Sequence, residues 1–130
     1  MTIELSRLQA LLKNKNGSLQ VGRLPTHVSS ILKCPMGIVY LSCQSLQHII
    51  DAHPMISFID MLCLTDMISH GEWFADKTNG ACVVYAHPDT MKLYKGAIKV
   101  ARDRCEIYVT TFHRTDPRQI QSIRSRHQKL

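Results

Sequence analysis

Apolar positions along the chain fall into two rhythms that change over at Gly71. Before it the spacing is helical. Leu5, Leu8, Leu11 and Leu12 predict a helix over 2–13, closed by the turn signal Asn16-Gly17. Ser42 is placed to cap a helix that runs to about His53 and stops at Pro54, with Leu46, Ile49 and Ile50 as its apolar stripe and His53 next in register. A further helical region over 56–70, broken near Thr65 and stopped by Gly71, is dense in core residues: Phe58, Ile59, Met61, Leu62, Leu64, Met67 and Ile68. Residues 18–35 keep no clear period and are punctuated by Gly22, Pro25 and Pro35, with a short strand expected over 37–41. After Gly71 the period becomes two. Strands are expected over 73–75, 81–86, 91–101 and 105–112, separated by turns at Asn79-Gly80, at His87-Pro88-Asp89 and near Asp103.

The order predicts an α+β fold: N-terminal helices packed on a four-stranded antiparallel β-meander, with a short C-terminal helix and an open sheet face that is concave and basic. The 130 residues suit one domain, with 1–36 as an N-terminal extension carrying a helix and 37–130 as the core. The last strand leads directly into that final helix. Asp116 is the expected N-cap, Pro117 the first helical residue and Gln119 the capping-box partner, with Arg118 in the first turn. Arginine at a helix N-terminus opposes the dipole, a conflict that a bound anion would relieve and that solvation also relieves.

Charge sharpens the picture. Residues 1–91 hold six Lys/Arg against seven Asp/Glu, whereas 92–130 hold ten against three, so the entire excess of the +6 chain lies in its last third. Such asymmetry points to a polyanion or an acidic partner. The five cysteines are odd in number, widely spaced and mostly flanked by apolar residues, which suits buried thiols in a reducing, cytoplasmic setting. No Cys-x-x-Cys pair and no pair of histidines at four-residue spacing is present, so neither a metal nor another cofactor is expected. The apolar runs are too short to span a bilayer, and no membrane partner is expected.

Cleaving RNA without a metal requires a base for the 2′-hydroxyl, an acid for the leaving 5′-oxygen, and cations or hydroxyls around the phosphorane. Histidine suits the first two roles near neutral pH. His48 and His53 belong to one helix, five residues apart, and so point roughly 140° apart around its axis unless the helix unwinds before Pro54. His53 in the apolar stripe also reads as a core histidine, and His48 beside Gln44, Gln47 and Asp51 as a solvated one. The other five histidines, His113 among them, fall at turns, ends or tails and read as surface residues. Tyr108 and Thr110 share one side of the last strand and lead toward Arg114, a cradle for phosphate that ordinary strand preference also explains. Lys95 and Lys99 share one side of the preceding strand; whether that is the same sheet face depends on register.

His48-x4-His53-Pro54, the helical segment after it, the hairpin ending in Lys99 and the run Tyr108-Val109-Thr110-Thr111-Phe112-His113-Arg114 resemble the phage- and toxin-associated branch of the barnase, EndoU, colicin tRNase and RelE-like superfamily of small metal-independent ribonucleases, over roughly residues 38–126. The resemblance implies helices followed by a four-stranded antiparallel sheet. It puts the helix histidine on His48 or His53, the late-strand threonine on Thr110 before Phe112, and the arginine on Arg114, with Arg118 and Gln119 extending the substrate edge. The function expected is endonucleolytic cleavage of RNA, tRNA included, by 2′-OH attack to a 2′,3′-cyclic phosphate. His48, His53, Lys99, Thr110 and Arg114 would be catalytic; Lys95, Tyr108, Arg118 and Gln119 would bind substrate; an antitoxin or immunity protein would be a partner. The alternatives are a non-catalytic basic module that binds RNA or protein, and an antitoxin- or immunity-like partner protein.

Overall fold

Ser42 ends one element and begins the next: it closes β2 (Ile38–Ser42), and its side chain accepts the Ser45 amide at 3.1 Å as N-cap of α3 (Cys43–Ala52). The computed structural model describes residues 3–77 and 79–130. Leu46 and Ile49 bury the inner stripe of α3, and the helix ends at His53. Upstream, α1 (Leu5–Leu12) buries Leu8 and Leu11; Thr2, where that helix was expected to start, lies outside the described residues. β1 (Ser18–Arg23) and α2 (Thr26–Ile31) follow, in the stretch whose pattern had no clear period.

The expected long helix over 56–70 is two. α4 (Phe58–Met61) opens on a reciprocal capping box between Ser57 and Asp60, and α5 (Leu64–His70) follows after a break at Leu62 and Cys63. Thr65, the expected break point, lies inside α5, where its hydroxyl donates to the Val21 carbonyl at 2.6 Å. α5 stops at Gly71, which turns to extended backbone and has no room for a side chain: a Cβ there would meet Val83 Cγ2 at 2.4 Å and the Met67 carbonyl at 2.5 Å.

β3 (Glu72–Ala75), β4 (Gly80–Ala86), β5 (Leu93–Ala101) and β6 (Glu106–Arg114) pair consecutively and antiparallel. The sheet does not stop there, and the four-stranded antiparallel meander is corrected by this topology. Six strands run in the order β1-β2-β6-β5-β4-β3, with β2 parallel to β6 through Val39 opposite Ile107 and Tyr40 opposite Tyr108. β1 pairs antiparallel to β2 and forms the edge, so residues 18–23 of the expected N-terminal extension lie in the same sheet as the core. A shift between Gln20 and Gly22 breaks the alternation of β1, which hides it from a period-two reading.

One sheet face carries the large core, where Leu8, Leu46, Ile49, Met61, Leu64 and Met67 from the helices meet Val39, Trp73, Val83, Tyr94, Ile107 and Phe112. On the other face α6 (Pro117–Arg126) seats Ile120 and Ile123 on Phe74, Cys82 and Val84. α6 covers the β3–β4 side only. The β5–β6–β2 side of that face presents Lys95, Lys99, Tyr108, Thr110 and Tyr40, all half-buried or exposed. Asp116 caps α6 by accepting the Gln119 amide at 2.8 Å. The Gln119 side chain does not return to the cap backbone as a capping box would; its Oε1 accepts the Thr115 hydroxyl at 2.7 Å. Among the described residues no helix is long and apolar enough to cross a membrane.

Candidate functional site

β6 contains one residue too many. Ile98 opposes Val109 and Ala97 opposes Thr111, leaving Thr110 as the extra residue of a bulge. Its effect is to put Thr110 and Thr111 on the same face and to resume inward packing at Phe112, three residues after Val109 rather than two. His113 then faces outward opposite Lys95, and Arg114 faces inward opposite buried Tyr94.

α3 packs against this end of β6. A residue before proline is kept out of the helical region, and His53 leaves the helix with φ −131° and ψ 71°. That turn brings its ring onto the bulge. Nε2 lies 3.4 Å from Thr111 Oγ1, and the ring stacks on His113 with centroids 4.6 Å apart and planes inclined by 30°. Burial lowers the His53 pKa from its ordinary 6.5, and the neighbouring charges of His113 and His48 lower it further. His113 Nδ1 is 2.9 Å from the Arg114 carbonyl, an acceptor only, so Nδ1 carries the proton of the neutral ring and Nε2 is its open acceptor.

Ala52, His53, Pro54, Met55, Ile56, His113 and Arg114 line a cleft of about 340 Å³. Arg114 is anchored from below: its Nη2 donates to Asp60 Oδ1 and Oδ2 at 3.3 and 3.4 Å, while 42% of its side chain stays exposed. Asp60 is buried and also accepts the Tyr94 hydroxyl at 2.6 Å, the Ser57 amide at 3.0 Å and the Ser57 hydroxyl at 3.1 Å. Burial by itself raises the Asp60 carboxyl, but the Ser57 amide, the two hydroxyls and Arg114 together outweigh it and hold the group below the usual carboxylate range.

The expected site residues therefore divide. His53 and Arg114 share the cleft, and Lys95 stands across from His113. His48 is exposed on α3 and reaches the site only through its charge on His53. Thr110 turns its hydroxyl to the Ala97 carbonyl at 3.2 Å, and the threonine that meets the histidine is Thr111. Lys99 opposes Tyr108, about 7 Å further along the strand from the Ala97–Thr111 pair. Tyr108 donates to the Glu106 carboxylate and lies 5.9 Å from the Tyr40 ring, so it belongs to the open face rather than to the cleft. Arg118 and Gln119 sit exposed in the first turn of α6, beyond Arg114.

His113 and Thr111 were missed, and one signal for them is in the sequence. Ile107 and Val109 set an alternation that Phe112 breaks, and an apolar residue out of step by one inside a strand marks a bulge. Asp60 was missed because an acid inside an apolar run reads as a turn residue until its partners, 34 and 54 positions away, are known.

A wider groove of about 500 Å³ runs between α6 and β3–β4 past His70, Glu72, Tyr85 and Arg124. Its Arg124 and Glu72 pair with each other at 2.8 Å. Among the described residues no three His, Cys, Asp or Glu side chains converge as an ion-binding cluster. Compared with known proteins, the chain matches no family model, no curated protein and no solved structure.

Proposed function

We propose that this protein is a metal-independent endoribonuclease of the toxin or mobile-element type, working in the cleft between the end of α3 and the end of β6. The reading is carried by the His53–His113 stack beside a guanidinium. Two imidazoles in contact resist double protonation, so a single proton on the pair makes one ring an acid and leaves the other a base. His53, with its depressed pKa, is the base that takes the 2′-hydroxyl proton, and Thr111 positions it. His113 protonates the leaving 5′-oxygen through Nε2. Arg114 holds the phosphate and offsets the charge that grows on it, while Asp60 fixes the guanidinium from behind. The phosphate rests against the ring edges that face the cleft, since rings 4.6 Å apart leave no space between them. Lys95 reaches the flanking phosphate; Tyr108, Lys99 and Thr110 carry the strand onward over the open face.

The rival is a basic module that binds RNA without cutting it. It draws on the Arg114–Asp60 pair, because a guanidinium held by a buried carboxylate also makes sense as an architectural tie. Purified protein incubated with total RNA in chelator separates the two. Cleavage is expected, with 2′,3′-cyclic phosphate ends. Intact RNA, or strict magnesium dependence with 5′-phosphate ends, would overturn the enzymatic reading.

A further inference from the structure

The turn between β5 and β6 is docked at the far end of β6 from the histidines, against the loop that follows α2. Arg102 holds it in place: Nε donates to Asn79 Oδ1 at 2.7 Å, and Nη1 donates to the Leu32 carbonyl. Beside it the Cys105 thiol donates to the Lys33 carbonyl at 3.4 Å. Lys33 and Cys105 have φ of 59° and 51°, left-handed values that residues other than glycine adopt rarely, so both loops are held in uncommon conformations where they meet. The result is that Cys105, 71 positions beyond Cys34 in sequence, sets its sulfur 3.4 Å from the carbonyl of the peptide that joins Lys33 to Cys34, which makes the two thiols neighbours. Cys105 is exposed and Cys34 is 2% exposed. The remaining three cysteines, Cys43, Cys63 and Cys82, are also free thiols.

We propose that Cys34 and Cys105 are a thiol pair that a hydroperoxide converts into a reversible disulfide, stapling the loop after α2 to the β5–β6 turn. The exposed partner reacts first. The Cys105 sulfur attacks the terminal peroxide oxygen, the O–O bond breaks, and the sulfur becomes a sulfenic acid while the released oxygen leaves as water. The Cys34 sulfur then displaces the sulfenic hydroxyl: the S–O bond breaks, the S–S bond forms, and the Cys34 proton leaves with the hydroxyl as a second water. Hydrogen peroxide is reduced to two waters and the two thiols are oxidised by two electrons. Burial and the neighbouring thiol push Cys34 up to about 11, which keeps it an inert thiol until an electrophilic sulfur stands beside it. The staple closes a long loop and so restricts the unfolded chain more than the folded one.

Dilute full-length protein treated with hydrogen peroxide tests this. Intact mass should fall by two hydrogens, and non-reducing peptide mapping should join the peptides holding Cys34 and Cys105. The melting temperature should rise by roughly 10 °C, returning to its starting value with dithiothreitol. Cys105→Ser, at an exposed position, should fold, stay at the reduced melting temperature in peroxide and show no linked peptide. If Cys34→Ser fails to fold, the Cys105→Ser comparison decides alone. Over-oxidation of Cys105 with Cys34 still alkylatable, a link to Cys43, Cys63 or Cys82, a bond between chains, or a linked product with an unchanged melting temperature would each overturn the proposal.

Discussion

His53 meets three conditions that rarely coincide: it ends a helix, precedes a proline and touches a second imidazole. The first two follow from the local sequence at Pro54 and the third from β6, and together they hold the ring half-buried and biased toward its neutral form. A histidine with a depressed folded pKa binds fewer protons folded than unfolded at mildly acid pH. Its contribution is therefore fully present above about pH 6.5 and is lost as pH falls from there through the folded value. NMR titration of the ring protons should give His53 a midpoint below 6.5, moving upward in His113→Ala as the neighbouring charge is removed. A midpoint at or above the ordinary value would show that the pair does not share protons as described. Pro54 was legible in the sequence, but its consequence was not: the swing of His53 toward β6 depends on where β6 lies, and the two are 58 positions apart at their contact.

At the scale of the elements, the bulge in β6 is what assembles the cleft. Deleting Thr110 would restore a simple alternation, Val109 inward, Thr111 outward, Phe112 inward and His113 outward, so the core register survives. What changes is the local twist that presents Thr111 and His113 to α3. The deletion variant should fold, with a melting temperature within a few degrees of the parent, and cleave RNA at least ~10-fold more slowly, because misplacing catalytic groups by about 1 Å can cost 10²-fold. A deletion variant with unimpaired cleavage would show that the bulge has no part in the site. The helices from α3 to α5 were largely legible because caps, proline and apolar stripes act locally. Strand β1 was not, since a short edge strand broken at Gly22 carries no alternation. Nor was the β2–β6 pairing, because parallel neighbours need a long crossover and leave no turn signature.

For the whole molecule, the excess charge of the last third is less available than its count suggests. Arg124 and Lys129 pair with Glu72, Arg104 with Glu106 and Asp103, and Arg114 and Lys92 with Asp60. Among the described residues of the last third Lys95, Lys99, Arg102, Arg118 and Arg126 enter no ion pair, and Arg102 is held by Asn79 and the Leu32 carbonyl. The other four, with Arg114 on the scissile phosphate of the proposed mechanism, are the cations placed to displace counterions from RNA. Binding should weaken with salt at a log–log slope of about −3.5, at about −0.7 per phosphate neutralised on a single strand. A slope near zero would remove the electrostatic footprint; one of about −5 would mean that the paired arginines exchange their acids for phosphate. The composition disclosed the charge and its asymmetry, but not the pairings, which join residues as far apart as Asp60 and Arg114.

The most direct test of the His53–His113–Arg114 cleft is single-turnover RNA cleavage in chelator at saturating protein, with circular dichroism as the folding control. His53→Ala and His113→Ala should each slow the chemical step by about 10²-fold or more, the scale of losing a general acid or base. Arg114→Ala should do the same by removing a preorganised donor, and Asp60 keeps the Ser57 amide, the Ser57 and Tyr94 hydroxyls and Lys92 as partners. Arg118→Ala should only raise the protein concentration needed for saturation. Cleavage by all four variants at the parent rate once saturated, or no cleavage by the parent itself, would contradict the account.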